Sequence, residues 1–523
     1  MSDKKTITAA TAVLSSATML SRFAGLARDM VIASIFGAGF GSDAFFMAFT
    51  IPNLLRRFFA EGSLTAAFVP TFTQVRQQQG EEEAQRVVNI CWSLLVLVML
   101  GVTCLGILLA PWLVDVIGAG FGNVAGKLEL TVHLTRLMFP YIFFVSLLAL
   151  FTGVLNVYGH YFIPAFSPLI LNLAMISGAL LCRNMFSIPI EALAWGVVVG
   201  GVLQLAMTVP VLRRYGLSLH FSCNWRDRIV QKISRLMIPG IIGVAIYQIN
   251  VVVTRLLSSF LEQGSVSYLY YGQRLFEFPQ GIFVVSLAQA VLPTMSKQAS
   301  TGDMAGVKHS LSYSLTLIML ITIPASAGLM VCAIPIYSQL FMYGAFSYTD
   351  VQQTALALAA YAPGLLFVGI SRVIVPTFYA MQDTRTPVWV SFWTLLVNMG
   401  LGLLLMGPWQ HIGLAMALTC SSVFNAVALL VLLKLRIGSI ALSAVGWTAI
   451  RVLLATAVMA LIVHRLLLFG HWSLGVNSTN IAVLLGAISV GIVSYLIGCY
   501  LLQIKELREV VTMLKRRLSH RAG

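Results

Sequence analysis

Apolar residues fall along this chain in long blocks separated by short polar breaks. A block of about 20 predominantly apolar residues is long enough to cross bilayer hydrocarbon as a helix. The pattern predicts fourteen such spans, at 10–36, 42–72, 88–117, 131–157, 163–182, 190–212, 231–258, 267–294, 309–333, 352–379, 387–407, 411–433, 445–467 and 480–502. The expected fold class is therefore all-α: a polytopic integral membrane protein.

Composition agrees with the pattern. Of 523 residues, 59% are hydrophobic and 10% are charged, against roughly 25% charged in soluble proteins, and the mean hydropathy is +0.89. In a soluble domain a net charge of +15 would suggest nucleic acid. Here it follows loop topology. Lys4, Lys5, Arg76, Arg86, Lys297, Lys308, Arg385, Lys434 and Arg436 fall on one side, with six more cations in 213–235 and six in the tail from Lys505 to Arg521. The other side carries only Lys127, Arg183 and Arg465. The positive-inside rule then places both termini in the cytoplasm. The tail from Gln503 reads either as an amphipathic helix on anionic lipid or as a solvated topology signal. Met1–Lys5 is a short polar start with no cleavage pattern behind it, unlike a signal peptide. The seven cysteines are scattered without C-x-x-C spacing, which points to small packing residues and to no metal site.

The chain contains a weak duplication. "SLTAAFVPT" at 63–71 matches "SLAQAVLPT" at 286–294, an offset of 223 positions that also pairs Gly41-Ser42 with Gly264-Ser265, Pro140 with Pro363 and Pro164 with Pro387. The offset spans an even number of helices, so the copies have parallel topology, an arrangement found in transporters with the substrate site between the halves. The expected organisation is an N-terminal six-helix lobe at 1–216, a second six-helix lobe at 217–440, a two-helix appendage at 441–502 and a basic tail at 503–523.

Charge at membrane depth is concentrated in few helices. The first span contains "SRFAGLARDM" with Arg22, Arg28 and Asp29, and the second contains Asp43 and "IPNLLRRFFAEG" with Arg56, Arg57 and Glu61. The seventh has Arg255, the eighth "YYGQRLFEFPQG" with Arg274 and Glu277, and the tenth Arg372. Exposing the three charges of the first span to lipid would cost roughly 9 kcal/mol, about 3 for each, so water or a ligand must meet them. Arg22 and Asp29 share a helix face, whereas Arg57–Glu61 and Arg274–Glu277 have the spacing of intrahelical pairs. Pairing or snorkelling would account for Arg57, Arg136 and Arg255. Arginine nevertheless outnumbers carboxylate, and bends at Gly25, Pro52 and Pro279 would let these groups converge. Guanidinium is a planar fork matched to phosphate oxygens. A basic cavity between the lobes would therefore suit an anionic, phosphate-bearing cargo. The chain has no P-loop, and no Ser/His/Asp constellation is visible, so an enzyme is not expected.

"SRFAGLARD", "FGAGFGSDAFFMAFTIPNLLRRFFAEG" and "YYGQRLFEFPQG" resemble the MurJ/MviN lipid II flippases of the multidrug/oligosaccharidyl-lipid/polysaccharide exporter superfamily, and the resemblance runs along the whole chain. It implies two lobes around a cationic cavity and transport of an undecaprenyl-diphosphate-linked peptidoglycan precursor across the bacterial cytoplasmic membrane. By motif, the family's substrate-binding arginines correspond to Arg22, Arg28, Arg56 and Arg274. The acid of its outer gate corresponds to Asp43, with Asp29, Arg57, Glu61, Ser267 and Glu277 as further gating or cavity-lining candidates. The last two helices correspond to the pair that forms a lipid-tail groove. The implied partners are lipid II, membrane lipids and other cell-wall synthesis proteins, with no nucleic acid. No cofactor is implied. Acids that bind sodium in some members are replaced here by Asn250 and Asn398, so no sodium site is expected and the membrane potential is the expected source of bias. Two rivals stay open: a flippase for another polyprenyl-diphosphate-linked oligosaccharide, since the diphosphate is common to such cargo, and a multidrug exporter, whose cationic substrates would call for surplus carboxylate instead.

Overall fold

The structure, a computed structural model, describes residues 2–58, 64–438, 442–504 and 506–507. Glu61, Lys505 and the basic tail from Arg508 onward lie outside the described residues. The chain divides into two compact units, Met1–Ser267 and Tyr268–Gly523, and no strand occurs among the described residues.

The first unit contains α1 (Ser2–Phe36), α2 (Phe40–Phe58), α3 (Leu64–Gln79), α4 (Glu81–Ile117), α5 (Lys127–Met138), α6 (Pro140–Val157), α7 (Phe162–Ser177), α8 (Glu191–Arg214) and α9 (Arg228–Ser259). α10 (Ser265–Pro279) begins in it and continues into the second unit. There follow α11 (Val285–Ser300), α12 (Met304–Val331), α13 (Ala333–Leu340), α14 (Tyr348–Tyr361), α15 (Gly364–Ala380), α16 (Arg385–Ile437), α17 (Leu442–Leu467) and α18 (Ser478–Leu501).

Helix ends follow local chemistry. α1 stops where Gly37 takes φ +63°, a conformation that costs glycine nothing. The hydroxyl of Ser42 donates to the carbonyls of Phe36 and Gly37 at 3.3 and 2.8 Å, satisfying acceptors the helix leaves open. The "FGAGFGSD" motif is thus a compact turn that delivers Asp43 into the first turn of α2. α16 joins the spans expected at 387–407 and 411–433 and breaks between them at Gln410 (φ 51°, ψ −136°).

Nine helices among the described residues are long and apolar enough to cross a membrane, or ten if the bent pair α14 and α15 is one span. The expected count was fourteen. Part of the difference is α16, in which two helices meet at the Gln410 break and two of the expected spans are counted once. Another part is the first two spans: α1 carries Arg22, Arg28 and Asp29, and α2 carries Asp43, Arg56 and Arg57, so neither is a simple apolar rod.

The connector between α8 and α9 is strapped to α4. Gln85, Asn89 and Ser93 lie four apart on one helical face. Gln85 Oε1 accepts from the N–H of Ser218 (3.3 Å), Asn89 Oδ1 from that of His220 (3.2 Å), and Ser93 Oγ from that of Ser222 (2.8 Å). Partners two apart on the connector mark an extended segment, which meets the helix at matching repeats. The strap ends at Asp227, which caps α9 by accepting from the N–H groups of Ile229 and Val230 (2.9 and 3.2 Å) and binds Arg86 at 2.8 Å.

In the first unit a core of α3, α4 and α6 residues includes Phe68 and Phe72, stacked 5.0 Å apart, with Val88, Phe151 and Val154. In the second, α17 packs on α18 and α12. The hydroxyl of buried Tyr495 donates to the carbonyl of Leu320 at 2.6 Å, a hydrogen bond worth about 1 kcal/mol. The opposite faces of α17 and α18 are apolar and exposed, among them Leu454, Leu461, Leu485, Ile492 and Val493, as lipid-facing helices require.

Candidate functional site

α1 packs along α7, and this contact decides what the arginines of "SRFAGLARD" do. Arg28 and Asp29 are both buried, at 5% and 1% exposure. The Arg28 guanidinium donates through Nε and Nη2 to Oδ1 of Asp29 (3.0 and 2.7 Å), while Nη1 donates to Oδ1 of Asn172 on α7 (3.1 Å) and lies 3.8 Å from the Met175 sulfur. Arg22 and Asp29 share a helix face, but that spacing does not set the partner of Asp29. Asp29 is engaged by its sequence neighbour, because the Arg28 side chain turns toward α7 and the carboxylate comes with it. Arg22 is half-buried, about 9 Å back along the helix axis.

Asp43 is engaged on both carboxylate oxygens. It is 1% exposed and accepts four hydrogen bonds. Oδ2 receives Lys127 Nζ at 2.9 Å and the N–H of Gly264 at 2.7 Å. Oδ1 receives the N–H and hydroxyl of Ser267 at 2.9 and 2.7 Å. Gly264 and Ser267 bracket the start of α10, whose first N–H groups have no partner within the helix. A carboxylate from α2 therefore caps a helix more than two hundred residues away, where the helix dipole also favours negative charge. Lys127 is itself buried, 2% exposed, with its ammonium 4.3 Å from the centre of the Phe121 ring. Close by, Gly120 donates its N–H to Ser259 Oγ at 3.0 Å, and a Cβ there would fall 2.4 Å from the Ser259 backbone.

Further along α2, Pro52 lies inside the helix. Arg56 Nε donates to Asn53 Oδ1 at 3.2 Å, and both Arg56 and Arg57 are half-buried. Arg255 donates to the Val266 carbonyl and Arg136 to that of Ile107, each at 3.3 Å.

In the second unit, Arg274 and Glu277 make the expected intrahelical pair, 3.4 Å apart and about one third exposed. Arg274 Nη2 also donates to the Tyr270 hydroxyl at 2.9 Å, and Gln273 donates to Glu277 at 3.1 Å. After Pro279 the helix widens into a π-turn at Gln280–Val284, the bend that the proline predicts. At the start of α10, the Tyr268 hydroxyl donates to Asp350 Oδ1 at 2.9 Å, and its ring lies 5.2 Å from that of His411.

Among the expected substrate arginines, Arg28 and Arg274 are thus met by carboxylates. Asn172, Lys127 and Tyr270 are among the partners that escaped the sequence reading. Asn172 is the lone amide side chain in a predominantly apolar helix without charged residues, a placement that would have flagged it. Lys127 was one of three cations on the sparsely charged side. Tyr270 carried no signal beyond its four-residue spacing from Arg274.

Residues 32–483 match the model of the family described as lipid II flippase MurJ. The lipid II flippase MurJ of Burkholderia cenocepacia is 35% identical over 448 residues, covering 85% of this chain and 86% of that protein. A solved structure of a lipid II flippase MurJ in an inward closed conformation aligns with a TM-score of 0.79 at 26% identity, over 95% of this chain and 99% of the other. An inward-facing multidrug resistance MATE family transporter of the MOP superfamily aligns with a TM-score of 0.66 at 14% identity, over 83% and 99%, a likeness of fold alone. With a family match that takes in both units and the motifs carrying Asp43 and Arg274, the chain belongs to the lipid II flippase MurJ family.

Proposed function

We propose that this protein is a multi-pass transporter of the bacterial inner membrane that carries lipid II, a polyprenyl-diphosphate-linked peptidoglycan precursor, from the cytoplasmic to the outer leaflet by alternating access. The observation that carries this reading is the family match over residues 32–483, joined to arginines at membrane depth on α1, α2 and α10. Arg22, Arg28, Arg56 and Arg274 take the diphosphate. Guanidinium suits that task because its fork meets two phosphate oxygens at once. Asp29, Asn172, Tyr270 and Glu277 hold two of these arginines in place, so the incoming phosphate finds oriented donors and less ordering cost.

On the outer side, Asp43 closes the site by capping α10 through Gly264 and Ser267. Opening to that side requires those bonds to break. The polyprenyl tail stays in lipid along the exposed apolar faces of α17 and α18 throughout.

A multidrug exporter shares the fold but needs surplus carboxylate for cationic drugs, and the charge here has the opposite sign. A flippase for another polyprenyl-diphosphate-linked oligosaccharide shares the diphosphate chemistry, and the family match is what favours peptidoglycan. The deciding experiment is replacement of the native flippase in a depletion strain, scored by lipid II exposed on the outer leaflet. Rescue of growth with exposed lipid II is expected; a protein present in the membrane without such exposure overturns the reading.

A further inference from the structure

The repeat offset of 223 positions maps Lys127 onto Asp350. The two residues occupy equivalent places in the structure as well. Lys127 opens α5 and Asp350 lies in the first turn of α14. Each reaches the fourth residue of another helix in its own unit: Lys127 meets Asp43 on α2, and Asp350 meets Tyr268 on α10. Both contacts are buried on at least one side, with Lys127, Asp43 and Asp350 all at 9% exposure or less. The polarity is reversed between the two, cation to carboxylate in one and carboxylate to hydroxyl in the other.

The reversal has a consequence. Asp350 spends its second oxygen at home, where Oδ2 accepts from the N–H and hydroxyl of Ser347 in a capping box. Asp43 accepts from no local donor among the described residues, and its remaining lone pairs go to Gly264 and Ser267. Of its partners, Lys127 belongs to α5, which packs extensively on α2, whereas Gly264 and Ser267 come from the turn that starts α10. When that turn departs, the Lys127 contact has no reason to break.

We propose that Lys127 is a positioning residue of the transport cycle: it retains Asp43 when Gly264 and Ser267 leave, so the carboxylate stays charge-compensated and aimed to recapture α10. Without Lys127, release would leave the Asp43 carboxylate with no cationic partner among the described residues. Opening would be disfavoured, and the cycle would slow at that step with substrate binding intact.

The inference rests on the flippase reading, and one vesicle assay separates the two. Purified protein is reconstituted, and turnover and the half-saturating lipid II concentration are measured for the wild type, Lys127→Met, Lys127→Gln and Lys127→Arg, with thermal midpoints measured in parallel. A wild type that moves no lipid II refutes the flippase reading itself. With an active wild type, Lys127→Met and Lys127→Gln are expected to lose turnover about tenfold, the worth of one charged hydrogen bond, with half-saturation unchanged. Lys127→Arg is expected to recover most of it. Gln, which retains a donor without charge, serves where Met impairs folding. The double variant Asp43→Asn with Lys127→Met should be no slower than Asp43→Asn alone. Wild-type turnover in both neutral variants, additive losses in the double variant, or loss that tracks thermal midpoint with no recovery by Arg would overturn the proposal.

Discussion

Asp43 and Ser267 stand 224 positions apart and are joined twice, the backbone N–H and the hydroxyl of Ser267 both donating to one carboxylate oxygen. The two bonds respond differently to substitution. Ser267→Ala removes the hydroxyl bond and keeps the N–H, a loss of about 1 kcal/mol in the closed arrangement. Asp43→Asn replaces one oxygen by a donor that faces other donors and weakens the rest, costing about 3 kcal/mol or more in total. Flipping measured in vesicles should therefore fall modestly with Ser267→Ala and severely with Asp43→Asn. Equal effects would mean that the hydroxyl, not the carboxylate, carries the closure.

Arg28 uses three nitrogens at once, two on Asp29 and one on Asn172. Lysine cannot reproduce that fork. Arg28→Lys is expected to lose most transport, and Asp29→Asn to destabilise the fold by about 3–5 kcal/mol because it leaves a buried cation without its counter-charge. Transport assays and thermal unfolding in detergent separate the two results. Full activity with lysine at Arg22, Arg28 and Arg274 would eliminate bidentate recognition of the diphosphate.

The proposed cargo gives transport an electrical sign. Moving two negative charges out of a negative-inside cell releases about 4.6 kcal/mol per 100 mV if the whole field is crossed and the return is uncharged. Flipping in vesicles should accelerate under an imposed potential of that polarity and slow under the reverse. Equal rates would remove the potential as the driving term.

The strap on α4 carries its own pH dependence. Asp227 lies in the connector, and Glu83 precedes the apolar stretch of α4. Burial pushes the Asp227 carboxyl up, but the N–H groups of Val230 and Ile229 and the Arg86 guanidinium outweigh it and hold it below the usual carboxylate range. The Arg86 hydrogen bond does the same for Glu83. A depressed folded pKa means stability that is present at neutral pH and lost as pH falls through the folded value. The cap of α9 should therefore loosen only below about pH 4. Hydrogen exchange at the Ile229 and Val230 amides, corrected for intrinsic rate, is expected to rise between pH 5 and pH 3, and Asp227→Asn should abolish that dependence. Protection that persists unchanged at pH 3 would show that the strap does not depend on these charges.

Much of this molecule was legible from one dimension. Within the described residues the expected spans fall on helices because burying apolar runs in lipid is a local property of composition and length. The Arg274–Glu277 pair was legible because three-residue spacing sets side chains on one face of any helix. The motifs around Asp43 and Arg274 carry the family resemblance in the sequence alone.

The choice of polar partner was decided elsewhere. Spacing on α1 puts Arg22 and Asp29 on one face, and the structure pairs Asp29 with Arg28, whose guanidinium also meets Asn172 and Met175 of α7. Nothing near Asp43 in the chain announces Lys127, 84 positions away, or the first turn of α10. The sequence by itself determined where helices form, which of them carry charge, and the family. Only the tertiary structure decided which charges meet. Helix formation answers to neighbours within one or two turns, whereas a buried charge takes whichever partner the packing of distant helices brings within about 3 Å.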